Sequence, residues 1–304
     1  MRKSTGAGRA KTTARPGRAG APEGGGVGHR ARKRFGQHFL EPVWADKIVR
    51  AIAPASGDTF LEIGPGRGVI TRPLAAAADR VVAFEIDRDL ARLLREEAPS
   101  NVEIVEGDFL RLPLEQLRRA LSGLSGPDGG APGRLRAAGN LPYNVASPIL
   151  FKLVELYAGG LPLLDAVLML QREVADRLLA SPGGRDFGVL SVLVGHQARL
   201  ERLVSLPPGA FRPVPRVHST LVRLQFHPPE PPARDPALFA ALTRALFSRR
   251  RKTLSNALLA HPVARRLGPT QVLARCGLDG RRRPETLGIA ELVRLSDAVA
   301  DAPL

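Results

Sequence analysis

Thr59-Phe60-Leu61-Glu62-Ile63-Gly64-Pro65-Gly66-Arg67-Gly68 decides the fold of this chain. The largely apolar half predicts a buried strand, the glycine-proline half a tight turn, and Val69 to Ala78 the start of a helix. Strand, glycine turn and helix in that order make a nucleotide site. Glycine lets the backbone approach a ligand closely, and ligands gather outside the C-terminal ends of parallel strands. The dinucleotide fingerprint needs a third glycine where Val69 stands, so the spacing is Gly-x-Gly-x-Gly and the nicotinamide reading weakens.

Outward from the turn, that spacing resembles the first motif of S-adenosylmethionine-dependent methyltransferases, which cradles an amino-acid moiety and needs no pyrophosphate loop. Arg80 to Phe84 predicts a second strand ending in Glu85, a carboxylate about 20 residues beyond the glycine turn, where ribose hydroxyls are held in such folds. Asn101 to Val105 predicts a third, followed by Gly107-Asp108-Phe109. Asp108 is positioned to accept from the cofactor's adenine amine, or simply starts a turn. After Leu112 to Leu121 and a surface loop from Ser122 to Gly133, the weakly strand-like Leu135 to Gly139 brings Asn140-Leu141-Pro142-Tyr143 to the same sheet edge.

That tetrapeptide suits an exocyclic amine of a nucleobase. Such an amine is a poor nucleophile because its lone pair is delocalised into the ring. The Asn140 side-chain oxygen and the Leu141 carbonyl would accept its two hydrogens and aim the lone pair at a methyl carbon. Tyr143 offers a stacking face, worth about 1 to 3 kcal/mol per base. Standing alone, the tetrapeptide would read as a proline turn capping a strand.

Composition points the same way. The chain has 304 residues, 44% of them hydrophobic, and a net charge of +16 with a pI near 11.3. Those values fit one sizeable α/β domain with a smaller partner, and a polyanionic ligand such as nucleic acid. No apolar run approaches the roughly 18 residues that span a bilayer. Cys276 is the single cysteine, so neither an intrachain disulfide nor a cysteine-cluster metal site is expected. Residues 1–30, with Glu23 as their one acid, predict a disordered basic tail. Arg32 to Leu40 reads either as a capping segment or as a lid over cofactor and RNA, leading to a helix around Trp44 to Ile52.

Downstream, Asp165 to Leu170 predicts a buried strand, Phe187 to Gln197 a helix, and Val217 to Phe226 a terminal strand. Phe211-x-Pro213-x-Pro215 reads as an extended loop, with Phe211 either a second stacking face opposite Tyr143 or a core aromatic. From Ala237 the spacing is helical, and Arg249, Arg250, Arg251, Lys252, Arg265, Arg266, Arg281, Arg282 and Arg283 predict contacts to folded RNA backbone.

Taken with Phe35-Gly36-Gln37-His38-Phe39-Leu40, Asn140-Leu141-Pro142-Tyr143-Asn144, Gln171-Arg172-Glu173-Val174-Ala175, Phe187-Gly188-Val189-Leu190-Ser191, the Phe211 to Ser219 segment and Arg250-Arg251-Lys252-Thr253-Leu254, the chain from Lys33 to Leu287 resembles the ribosomal RNA adenine N6-dimethyltransferase family, in its small-subunit branch. The resemblance implies a Rossmann-like class I S-adenosylmethionine-dependent methyltransferase domain over 31–227 and a small C-terminal all-α RNA-binding domain over 235–304. It implies S-adenosylmethionine contacts at His38, Leu40, Gly64, Gly66, Glu85, Asp108 and Asn140, with Asn140, Leu141, Tyr143 and Phe211 at the target base. His38 stands where many members carry asparagine, and Arg67 where the turn residue is usually small or apolar. The implied substrate is a pair of adjacent adenosines near the 3′ end of 16S rRNA in a pre-30S particle, bound by a cytoplasmic monomer without a membrane or a metal. Residues alone account for one methyl transfer; the second rests on the resemblance. The competing expectations are a 23S rRNA adenine N6-methyltransferase conferring macrolide resistance, and a ribosome-assembly or transcription factor with secondary catalysis.

Overall fold

The computed structural model describes residues 38–121 and 134–301. The tail 1–30, the segment 32–37 and the loop 122–133 lie outside the described residues.

The sheet strands are β1 (Phe39–Leu40), β2 (Asp58–Ile63), β3 (Arg80–Glu85), β4 (Val102–Glu106), β5 (Arg134–Asn140), β6 (Leu163–Gln171), β7 (Ala198–Leu206), β8 (Phe211–Arg212) and β9 (Ser219–Phe226). Seven of them form one sheet in the order β4-β3-β2-β5-β6-β9-β7. β2 through β6 run parallel, and β9 is antiparallel to both β6 and β7. Strand order therefore reverses between β2 and β5, and a crevice opens there beyond the strand ends. β1 and β8 make a separate antiparallel pair, with Leu40 opposite Phe211.

Helices cover both faces, as parallel strands buried on both sides require. On one side α1 (Ala45–Ile52), α2 (Thr71–Ala77) and α3 (Arg88–Glu97) bring Ile48, Leu74 and Leu94 against Phe60, Val81 and Ala83. On the other, α4 (Leu114–Ala120), α5 (Ala146–Ala158), α6 (Arg172–Leu178) and α7 (Val189–Gly195) pack Leu117, Leu150, Leu178 and Val194 into the core that holds Leu61, Ile63 and Val82. The two sets alternate along β2 with the strand's period of two residues.

β7 was absent from the sequence reading. It is an edge strand whose middle carries Arg199, Glu201 and Arg202, and its pairing with β9 shifts register between Arg202 and Val204. Charges and irregularity blunt edges against further pairing, and they also erase the apolar alternation that betrays a strand.

Beyond β9 the chain is helical: α8 (Pro236–Ser248), α9 (Leu254–Leu258), α10 (Pro262–Leu267), α11 (Pro269–Cys276) and α12 (Ile289–Ala300). α8 starts where the Asp235 carboxylate accepts from the Ala237 and Leu238 amides, with Pro236 at its first position. These helices share a core containing Phe239, Leu246, Leu258 and Leu292, and Phe187, Val192 and Leu193 beside and within α7 belong to it too. Among the described residues no helix is long and apolar enough to cross a membrane.

Candidate active site

The glycine turn adopts the left-handed backbone its residues permit: φ is +70° at Gly64 and +60° at Gly66. A Cβ on Gly66 would lie 3.2 Å from the Phe39 ring, so the close seat of that aromatic depends on glycine. Arg67 sets its guanidinium over the same ring at 4.6 Å. A second close approach explains Gly139. A Cβ there would sit 2.5 Å from the Ile63 carbonyl oxygen, so glycine lets β5 carry Asn140 up beside the turn.

Glu85 ends β3 and is 4% exposed. Its Oε2 accepts from the Gly66 amide at 3.0 Å and its Oε1 from the Asp87 amide at 2.9 Å, which ties the turn to the next strand. Burial pushes its carboxyl above the usual range, opposed by those backbone bonds. Asp108 starts a turn. Its Oδ1 accepts from the Leu110 amide at 3.0 Å and starts a short 3₁₀ turn, while the residue also lines the crevice.

Asn140 donates its Nδ2 to the His38 carbonyl at 2.9 Å, leaving Oδ1 as the acceptor end. The Leu141 amide donates to Met169 at 3.2 Å. Tyr143 shares a 3.2 Å hydrogen bond with Ser219, and burial raises its phenol pKa. One face of the Tyr143 ring is already covered: the His38 imidazole stacks on it at 5.0 Å between centroids, its Nδ1 held 2.7 Å from the Pro213 carbonyl. His38 thus joins the Pro213 segment to the Asn140 side of the site.

His38, Leu40, Gly64, Gly66, Glu85, Asp108, Asn140, Leu141 and Tyr143 all line one cleft of about 280 Å³ at the reversal point of the sheet. Phe211 does not. Its ring is fully buried, in the core with Leu40, Ile48 and Leu206, because β8 pairs with β1 and draws the start of the proline-rich segment inward. A core aromatic at that position corrects the stacking-face expectation.

Glu62 is the residue the sequence reading passed over. It lies on the cleft, is 1% exposed, and its Oε2 has no hydrogen-bond partner among the described residues. Burial raises its pKa to about 7, opposed by the Thr71 hydroxyl and reinforced by Glu85. The available signal was an acid flanked by Phe60, Leu61 and Ile63 in the half of β2 that leads into the glycine turn. Among the described residues no cluster of ligating side chains could hold a metal.

The predicted basic surface is partly engaged internally. Arg282 holds Glu291 and donates to the Thr286 carbonyl at 2.8 Å, and Arg281 holds Asp279 at 3.0 Å. Arg282 is therefore a structural clasp at the start of α12, a correction to its expected place on an open RNA-binding face. Backbone bonds from Leu254 to Arg282 and from Ser255 to Gly280 nonetheless bring the turn after α8 beside the turn before α12, so two basic runs distant in sequence meet.

A parallel sheet reversing at a glycine turn, closed by an antiparallel β9, defines a Rossmann-like class I methyltransferase fold. Solved structures agree. A dimethyladenosine transferase from Plasmodium falciparum superposes with a TM-score of 0.65 at 25% identity, covering 85% of this chain and 96% of that one. The 23S rRNA methyltransferase ErmE shares the fold at a TM-score of 0.59 and 24% identity, covering 86% and 100%. The family model described as ribosomal RNA adenine dimethylase matches residues 28–294, and the chain belongs to that family. Curated relatives include the ribosomal RNA small subunit methyltransferase A of Pseudomonas fluorescens, 42% identical over 90% of this chain and 96% of the relative. The protein of the same description from Anaeromyxobacter dehalogenans is 44% identical over 89% and 94%.

Proposed function

We propose that this protein dimethylates the N6 amines of two adjacent adenosines near the 3′ end of 16S rRNA, using S-adenosylmethionine, as a cytoplasmic monomer acting on a pre-30S particle during small-subunit biogenesis. The observation that carries the reading is the convergence of the glycine turn, Glu85, Asp108 and the Asn140 to Tyr143 segment on one cleft. Family membership and relatives described as small subunit methyltransferases support the RNA and the second methyl transfer.

The cleft fits the cofactor in chemical kind. A buried carboxylate at the end of β3 suits ribose hydroxyls, Asp108 suits an adenine amine, and the Gly64 to Gly66 backbone leaves room for an amino-acid moiety. His38 and Leu40 close the side nearest β8. When bound, S-adenosylmethionine supplies an electrophilic methyl group. The protein's part is to orient the target amine. Asn140 Oδ1 and the Leu141 carbonyl accept its hydrogens, and fixing them in advance avoids reorganisation during transfer. The Asn140 amide is held for this by its bond to His38, and Tyr143 presents the ring on which the base stacks. Residues 235–304 supply basic contacts to RNA backbone through Arg249, Arg251, Lys252 and Arg283.

Mass spectrometry of small-subunit RNA incubated with the protein and S-adenosylmethionine tests the reading. Two dimethylated adenosines are expected from the wild type. Asn140→Ala is expected to lose about 100-fold or more in methyl transfer. Methylation confined to large-subunit RNA would overturn the assignment, and so would an Asn140→Ala protein as active as wild type.

A further inference from the structure

A second cleft, of about 360 Å³, lies beside the active site between the end of β6, the start of α6, the loop before α7 and the segment entering β9. Its position is fixed by the sheet. Asn140 pairs with Met169 on β6, and Gln171 at the cleft wall lies two residues on, about 7 Å further along the strand. Gln171 pairs with Ser219, the partner of the Tyr143 hydroxyl, and the Arg172 amide donates to the His218 carbonyl at 2.9 Å. Tyr143, on the first cleft, thus bonds the residue next to His218 on the second.

Three acids line this cleft, and two of them are already neutralised. Glu173 is held by Arg177 at 2.5 Å, and Asp176 by Arg202 at 2.6 Å with Arg172 at 3.6 Å. Arg216 and Asp186 are exposed, share the cleft, and have no hydrogen-bond or ion-pair partner among the described residues. A cation and an acceptor left apart in one cleft suit a ligand that carries an anion and a hydroxyl donor a few ångströms apart. A ribonucleotide has both, and its 2′-hydroxyl is the group that separates RNA from DNA.

We infer that this cleft is a subsite for the ribonucleotide flanking the target base, with Arg216 and Arg172 on its phosphate and Asp186 on its 2′-hydroxyl. The inference rests on the RNA methyltransferase reading above. Its test is RNA binding, followed with a synthetic hairpin carrying the adenosine pair, either all-ribo or with a single 2′-deoxy nucleotide on one or the other side of the target.

Wild type is expected to bind one of the deoxy hairpins about fivefold more weakly, and Asp186→Ala to bind all hairpins alike. Arg216→Gln is expected to bind every hairpin about tenfold more weakly, with the slope of log affinity against log salt reduced by about 1, and Arg216→Lys to restore the slope. Affinity for S-adenosylmethionine, measured by calorimetry, should be unchanged in each variant, which controls for folding. Wild-type indifference to both deoxy substitutions, or an unchanged salt slope in Arg216→Gln, would overturn the subsite. Absence of methyl transfer by wild type to small-subunit RNA would instead remove the parent reading, and the binding arms would still report on the cleft.

Discussion

Glu62 shows how one residue ties stability to the site. Its carboxyl is buried in the strand that feeds the glycine turn, and its pKa rises to about 7. Because the folded value lies above the unfolded one, the native state binds the proton more tightly. The stabilisation is complete below the unfolded pKa and is lost as pH rises through about 7. Glu62→Gln mimics the protonated form. It is expected to leave stability nearly unchanged at about pH 4 and to raise it by about 1 to 3 kcal/mol at about pH 8, measured by urea unfolding of the cofactor-free protein. Equal effects at both pH values would mean that Glu62 titrates alike in the folded and unfolded states. His38 is the other residue whose role emerges from its neighbours, since its ring, its Nδ1 and its backbone carbonyl contact Tyr143, Pro213 and Asn140 respectively.

At the scale of elements, the end of the sheet opposite the cleft is fastened by Arg136 in β5. All five of its N–H donors are used: two to Asp165 at 2.7 and 2.8 Å, one to Asp58 at 2.9 Å, and two to the Ile52 and Ala53 carbonyls at 2.8 and 2.9 Å. One guanidinium thus joins β2, β5, β6 and the C-terminus of α1, where orphan carbonyls need donors. Arg134 and Arg223 add further contacts to Asp58 and Asp165. Arg136→Met should cost about 3 kcal/mol, because two buried carboxylates lose their main partner. A loss below about 1 kcal/mol in denaturant unfolding would show that Arg134 and Arg223 suffice. The same arginine explains why β5 reads weakly in sequence: a charge in a central strand breaks the apolar run that signals one.

For the whole molecule, the core of α8 to α12 reaches back to Phe187, Val192 and Leu193. Deleting residues 228–304 would expose those side chains, and the remaining protein is expected to aggregate or to unfold with a lowered midpoint in thermal scanning. A soluble truncation with the full-length midpoint would show that the helical segment contributes nothing to the sheet domain. Its basic turns meet through the bonds between residues 254–255 and 280–282, so RNA affinity should depend on that core staying intact.

Local pattern marks the parallel sheet, the glycine turn, Glu85, Asp108 and the Asn140 to Tyr143 segment, whereas His38 and Leu40 enter the cleft's roll only through the family resemblance. A strand period, a glycine where φ is positive and a carboxylate at a strand end each leave a mark within a few positions. Tertiary structure alone decided the rest. Phe211 is inside because β8 pairs with a two-residue strand about 170 positions earlier, Arg282 is a clasp because Glu291 faces it, and β7 is a strand because β9 offers it an edge. Each of those outcomes depends on a partner that only the fold brings into contact, and that is not written in the spacing of neighbouring residues.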